Sequence, residues 1–296
     1  MVSGKQLSRW RRNARQEANA AGIAPTEVDW LLQEVAGLDR LTLRLESFEE
    51  QGQIELKIPL PKLTQLWQQR LYERVPVQHL VGVTPWRNFS LRVSPDVFIP
   101  RPETEYLIEL AVRATEAGYS QHLASGNWVD LGTGSGAIAL GLAQAFPEAT
   151  IHAVDSGTAA LTMAQQNAEN LGFSKRIQFY QGDWWEPFAS LKGRVSGMVS
   201  NPPYIPTHLL PQLQPEVGHH EPHQALDGGS DGLDSIRHLV KTSPHYLSPG
   251  GVWLTEMMAG QAEAVTQLLQ QEGSYAQVQI FPDLAGIDRF AMAYCS

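Results

Sequence analysis

The stretch Trp128-Val-Asp-Leu-Gly-Thr-Gly-Ser-Gly-Ala137 decides how this chain is read. An apolar run from Trp128 to Leu131 enters three glycines, Gly132, Gly134 and Gly136, and then a helical stretch, Ala-Ile-Ala-Leu-Gly-Leu-Ala-Gln-Ala-Phe. Strand, glycine turn and helix in that order open a wound α/β sheet. The glycines permit a tight turn and a close approach of ligand to backbone, with Thr133 and Ser135 between them. Asp155 closes the next apolar run, 19 residues after Gly136. A carboxylate there can accept ribose hydroxyls, and it can equally cap the helix that follows.

By its letters the loop also satisfies the dinucleotide fingerprint, through Gly132, Gly134 and Ala137. Charge separates the candidates. A dinucleotide brings a pyrophosphate anion, whereas S-adenosylmethionine brings a sulfonium cation. Asp130 precedes the glycines, Asp155 follows the next strand, and the loop contains no Lys or Arg. Two nearby carboxylates favour the cation. Asp183-Trp184 follows the third strand, where an indole can stack on adenine. Trp184 and Trp185 can also be ordinary packing residues.

Outward from this loop, β-rich runs begin near Trp128, Thr150, Ile177, Val195, Gly251, Tyr275 and Phe290, and helical stretches separate most of them. That alternation predicts a mainly parallel, doubly wound sheet over residues 101–296. The last two strands are joined by Phe281-Pro-Asp-Leu-Ala-Gly-Ile-Asp-Arg289, too short for a crossover helix, so they should pair antiparallel.

Residues 1–75 read as helices. Leu7, Trp10, Ala14, Ala18 and Ala21 recur at helical spacing. A second stripe, Val28, Leu31, Leu32 and Val35, runs from Pro25-Thr26-Glu27 to Gly37, and a third, Leu63, Leu66, Trp67 and Leu71, follows Pro61. Residues 76–100 alternate at Val77, His79 and Val81, then at Phe89, Leu91 and Val93, which predicts a β-hairpin linking the two domains.

The bulk numbers narrow the function. The chain has 296 residues, 43% hydrophobic, with a net charge of −9. Residues 1–75 carry +1 and the remainder −10, which argues against a stable nucleic-acid partner for the sheet domain. Arg9, Arg11, Arg12 and Arg15 read as a solvated helix face. One cysteine, Cys295, fits a reducing, cytoplasmic setting. An N-terminus without an apolar h-region and the lack of any run of about 18 apolar residues predict no secretory signal and no membrane span. His219-His220-Glu221-Pro222-His223 has the wrong spacing for a helical zinc motif, and Pro222 breaks it, so no metal is expected. Gly228-Gly229-Ser230-Asp231-Gly232 lacks the Lys of a phosphate loop and is expected to be a mobile lid.

The fourth strand leaves through Ser200-Asn-Pro-Pro-Tyr-Ile-Pro206. Two consecutive prolines remove two backbone donors and fix φ near −65°. The Asn201 side-chain oxygen and the Pro202 carbonyl can then accept both hydrogens of a planar –NH₂ group, with Pro203 stiffening the turn and Tyr204 against its flat face. A nitrogen that gains positive charge as it attacks is better held in the transition state than in the ground state by such acceptors.

This loop resembles that of methyltransferases acting on planar amino groups. The ordered set Val97-Phe-Ile-Pro-Arg-Pro-Glu-Thr-Glu105, Asp130 to Leu140, Val199 to Pro206, Ala225 to Asp234 and Asp283 to Arg289 narrows it. Together they resemble the release factor glutamine methyltransferase (PrmC/HemK) family over essentially the whole chain. The resemblance implies a Rossmann-like, seven-stranded class I fold with a small all-α N-terminal domain joined by a β-hairpin. It implies methyl transfer from S-adenosylmethionine to the glutamine amide of the Gly-Gly-Gln motif in peptide chain release factors; a monomer is expected. By position, Gly132 to Gly136, Asp155, Trp184 and Asn201 fall on the family's cofactor site, and Asn201 to Tyr204 on its glutamine loop, with Asn201, Pro202 and Tyr204 catalytic. Arg101 to Thr104 falls on a stretch lying over the cofactor, and Thr104 also reads as a helix start. Residues 1–75 would recognise the release factor body. Glu256 falls on a family acid, and the Met257-Met258-Ala259 that follows departs from the family's turn. The competing reading is a nucleobase amino-group (adenine) methyltransferase on DNA or RNA, which should carry a basic groove.

Overall fold

The computed structural model describes residues 1–116 and 123–296. The chain divides into two units, Met1–Val83 with Gln214–His220, and Thr84–Leu213 with Glu221–Ser296.

The first unit is helical. Helix α1 (Gly4–Ala20) starts at Ser3, whose hydroxyl accepts from the Gln6 amide while the Gln6 side chain returns to the Ser3 backbone. Helix α2 (Thr26–Ala36) stops at Gly37, which adopts φ 63°. Helix α3 (Arg40–Leu45) is capped by Asp39, and α4 (Leu60–Gln68) starts behind Pro59. Leu7, Leu31, Leu32, Phe48, Leu63 and Trp67 form the core.

Two expectations change here. Val77–Val81 is a short helix, α5, rather than a strand, and Val77 is buried in this helical core. Val77 and Val81 lie four apart, one turn on the same face, and Gly82 ends the turn at φ 74°. Alternation over so few residues does not separate the two periods. The arginine cluster is not a uniformly solvated face either. Arg9 and Arg12 are exposed, but Arg11 is buried, with Nε donating to Asp29 at 2.6 Å and Nη1 to Glu46 at 2.7 Å. A guanidinium satisfied on both edges can be held inside. Arg70 is buried in the same way, between Glu27 at 2.6 Å and Glu216 at 2.8 Å. Glu216 lies in the short helix α9 (Pro215–Gly218), part of this unit.

The second unit opens with a hairpin, β1 (Val83–Trp86) and β2 (Phe89–Arg92), whose Trp86, Phe89 and Leu91 join the core under helices α6 (Tyr106–Glu116) and α7 (Ala137–Ala145). The hairpin is thus shorter than expected and is a packed element of this unit. Its sheet contains β3 (Asn127–Leu131), β4 (Thr150–Asp155), β5 (Ile177–Gln181), β6 (Val195–Ser200), β7 (Leu247–Glu256), β8 (Tyr275–Pro282) and β9 (Asp288–Cys295). Strand order is β5-β4-β3-β6-β7-β9-β8. The first five strands run parallel, and β9 pairs antiparallel with both β7 and β8, as the short connection requires. One face packs on α6 and α7, with Ala168 of α8 (Thr158–Asn170). The other packs on α10 (Asp234–Thr242) and α11 (Ala262–Glu272). Among the described residues no helix is long and apolar enough to cross a membrane.

Candidate active site

Strand register assembles the site before any side chain does. The chain winds from β3 outward to β5, then returns to place β6 on the other side of β3. The gap between β3 and β6 is the switch point where open α/β sheets bind ligands, beyond the strands' carboxyl ends. Across that edge Val154 pairs with Leu131, Leu131 with Ser200, and Ser200 with Thr255. The residues that come next, Asp155, Gly132, Asn201 and Glu256, therefore leave four adjacent strand ends about 4.8 Å apart in sequence of strands.

The glycine loop is the first wall. Gly132, Gly134 and Gly136 have φ of 76°, 54° and 85°, a region that side chains rarely adopt. A Cβ on Gly136 would meet Cβ of Ala164 on α8 at 3.0 Å, so this glycine also admits the neighbouring helix. Asp155 holds the loop: its Oδ2 accepts from the Gly134 amide and its Oδ1 from the Gly157 amide, each at 2.9 Å. It does not cap α8, whose N-cap is Gly157. A carboxylate offers about four acceptor positions, so two backbone donors leave room for ribose hydroxyls. Burial pushes the Asp155 carboxyl up, and the two amides pull it back.

Asp130 lies beneath the loop and is fully buried. Its Oδ2 accepts from Thr133 Oγ1 at 2.6 Å and from the Ala139 amide at 3.0 Å. Its Oδ1 has no hydrogen-bond partner among the described residues. Desolvation pushes this carboxyl up to about 7. An unpartnered buried carboxylate oxygen beside a loop shaped for close ligand approach is a feature that a cationic ligand would complement.

The two tryptophans part company. Trp185 is a packing residue, with Nε1 donating to Ser243 Oγ at 3.1 Å and its ring stacked on Tyr246 at 4.4 Å. Trp184 is partly exposed at φ 49°, and its ring is the nearest group to where a Gly132 Cβ would lie, at 3.8 Å. A bulky residue in left-handed backbone costs energy, and here it keeps an indole beside the glycine loop.

The Asn-Pro-Pro-Tyr loop leaves the end of β6, on the other side of β3 from Asp155. Asn201 Nδ2 donates to Thr104 Oγ1 at 3.1 Å, Thr104 Oγ1 donates to Glu256 Oε2 at 2.7 Å, and Tyr204 donates to Glu256 Oε1 at 3.0 Å. Thr104 is thus tied to the loop, and it also lies in the single helical turn Glu103–Glu105 that runs into α6, so both readings of it hold. Gln261 braces the turn from behind: its Nε2 donates to the Tyr204 and Gly232 carbonyls, each at 3.1 Å, and its Oε1 accepts from the Met258 amide at 2.9 Å. Residues 228–232, expected to form a lid, pack against this loop in the structure. The Gly228 amide donates to Ile205 at 2.8 Å, and a Cβ on Gly232 would lie 2.3 Å from the Tyr204 carbonyl. Arg101, in the stretch expected over the cofactor, is held by Glu221, which also accepts from the Ile99 amide.

Thr104, Glu221, Glu256 and Gln261 were not singled out as site residues by residue chemistry. Glu256 carried a usable signal, since it closes an apolar strand as Asp155 does. Gln261 carried none.

Comparison with known proteins adds to this geometry. The model of the methyltransferase small domain family matches residues 115–215, which contain the glycine loop, Asp155 and Asn201 to Tyr204. A release factor glutamine methyltransferase of Synechocystis sp. is 52% identical, over 99% of this chain and 97% of that protein. Those of Thermosynechococcus vestitus and Gloeobacter violaceus are 46% and 42% identical, the first over 99% of both chains and the second over 96% of both. Among solved structures, the hMettl16 catalytic domain bound to a MAT2A 3′UTR hairpin superposes at TM-score 0.54 with 14% identity, over 82% of this chain and 84% of that one. A 16S rRNA N2 G1207 methyltransferase of T. thermophilus, in complex with AdoMet and guanosine, gives 0.52 at 19% identity, over 72% and 50%. At such identities the likeness is one of fold.

Proposed function

This chain belongs to the release factor glutamine methyltransferase family, with a class I methyltransferase fold and S-adenosylmethionine as cofactor, and from that premise we propose how its residues serve the reaction. It methylates the side-chain amide nitrogen of the glutamine in the Gly-Gly-Gln motif of peptide chain release factors. When bound, S-adenosylmethionine would supply an electrophilic methyl on a positively charged sulfur: the methyl–sulfur bond would break as the amide nitrogen bonds the methyl, the sulfur would leave as the neutral thioether S-adenosylhomocysteine, and one N–H proton would pass to solvent.

Gly132 to Gly136 admit the cofactor to the backbone, Asp155 accepts its ribose hydroxyls, Trp184 stacks on its adenine, and Asp130 sets negative charge beneath it. Asn201 Oδ1 and the Pro202 carbonyl accept the two N–H groups of the glutamine, and Tyr204 lies against the amide plane. As the amide nitrogen becomes more positive, both acceptors bind it more strongly, so the chain lowers the barrier without needing a strong base. One observation carries this reading: Asn201 is held by its nitrogen, through Thr104, leaving its oxygen without a partner among the described residues.

The helical unit is proposed to recognise the body of the release factor, and the enzyme to act as a cytoplasmic monomer on protein alone. Leu41 and Leu45, one turn apart on α3 and 64% and 66% exposed, support a protein-facing surface. The test is incubation with methyl-labelled S-adenosylmethionine and, separately, release factor, a factor with Gln of the motif replaced by Ala, DNA and RNA. Label should appear on the intact motif only. Label confined to nucleic acid would overturn the assignment.

A further inference from the structure

Glu256 closes β7 on the strand next to Asn201, and it is 2% exposed. Its carboxylate takes the Thr104 hydroxyl on Oε2 at 2.7 Å and the Tyr204 hydroxyl on Oε1 at 3.0 Å. A hydroxyl has one proton to give. Thr104 gives it to Glu256, so toward Asn201 the same oxygen can only accept, and it accepts from Nδ2 at 3.1 Å. The Asn201 amide therefore has one permitted sense, nitrogen on Thr104 and oxygen free. Reversed, it would present two N–H donors to a substrate –NH₂ that also donates, and attraction would become repulsion.

We propose that Glu256 is a positioning residue for the transfer: by consuming the Thr104 proton it fixes which atom of Asn201 meets the acceptor amide, and by holding the Tyr204 hydroxyl it fixes the flanking ring. The inference rests on Asn201 being the group that accepts the glutamine –NH₂. Burial raises the Glu256 carboxyl, opposed by the bonds from Thr104 and Tyr204; Arg289 favours its charge and Glu103 disfavours it. Gln at 256 would offer one acceptor oxygen for two hydroxyls and would return the Thr104 proton to Asn201.

The experiment uses the full chain with Glu256→Gln, Thr104→Val and the double variant. It measures steady-state methylation of a release factor and, separately, cofactor affinity by calorimetry. Each single change should lower kcat about tenfold or more, the effect of losing a hydrogen bond to a charged group, with cofactor affinity unchanged. Thr104→Ser should recover much of what Thr104→Val loses. The double variant should fall no further than the worse single one, because both cut one chain. Losses that multiply in the double variant, or an unchanged kcat in Glu256→Gln, would overturn the proposal. If Glu256→Gln does not fold, equal turnover of Thr104→Val and Thr104→Ser overturns it instead. Asn201→Ala separates the two readings. Full turnover there defeats the role of Asn201 itself, whereas an inactive Asn201→Ala beside normal Glu256→Gln and Thr104→Val defeats only the relay.

Discussion

Asp155 ends β4 and Asn201 follows β6, on either side of β3, and the proposed roles predict that the two should fail in opposite ways. If Asn201 accepts the glutamine amide as proposed, Asn201→Ala should lower turnover by about 100-fold or more while cofactor affinity holds. If Asp155 accepts the cofactor's ribose hydroxyls as proposed, Asp155→Ala should weaken cofactor binding by about 1.5–3 kcal/mol, with a smaller change in saturated turnover. Single-turnover rates and calorimetric titration of the two variants check the contrast. Asp130 gives a pH signature. Its carboxyl titrates near 7 in the folded state against an ordinary 3.8. Between about pH 4 and 7 the folded chain holds a proton that the unfolded chain has lost, so stability falls as pH rises through that window. The swing is of order 4 kcal/mol at 1.36 kcal/mol per pK unit, and is fully felt above pH 7. Melting temperatures of the wild type and Asp130→Asn, taken from pH 5 to 8 without cofactor, should diverge in favour of the variant as pH rises.

At the scale of elements, the Asn-Pro-Pro-Tyr loop depends on a second loop that never meets the ligand crevice in sequence. Gly232 adopts φ 77°, and any Cβ there would lie 2.3 Å from the Tyr204 carbonyl and 2.7 Å from Gln261 Nε2. Gly232→Ala combines left-handed strain of about 1–2 kcal/mol with that clash. It should lower the melting temperature by at least ~2–8 °C and reduce turnover, because relief comes most easily from moving Tyr204. Differential scanning calorimetry beside methylation rates tests both. The period of an element was legible where the run was long: six sheet strands begin within two residues of the expected starts, β7 begins at Leu247 rather than near Gly251, and the antiparallel pairing of the last two follows from connection length. It was not legible at Val77–Val81, where five residues fit a strand and a helical turn alike. Buried arginines escaped notice for a related reason. Arg11 and Arg70 are inside only because Asp29, Glu46, Glu27 and Glu216 come to them, and those partners lie between 18 and 146 residues away.

On the scale of the whole molecule, the proposed site residues all fall in the sheet unit, and residues 1–75 of the helical unit carry +1 against −10 for the rest of the chain. If the helical unit reads the release factor body, Leu41→Glu with Leu45→Glu should lower kcat/KM for intact release factor about tenfold, roughly the loss of one apolar anchor, and leave kcat/KM for a Gly-Gly-Gln peptide unchanged. A loss on both substrates would mean damage to the enzyme rather than to recognition. The sequence by itself determined the class of fold, the glycine loop, Asp155 and the donor-poor loop at Asn201, because each is a local pattern of strand, turn and spacing. Only the tertiary structure decided that Thr104 and Glu256, 152 residues apart, orient the Asn201 amide, and that Gln261 and Gly232 brace Tyr204. Strand order and register bring those residues to one edge, and a hydrogen bond across that distance leaves no periodicity in the chain to read.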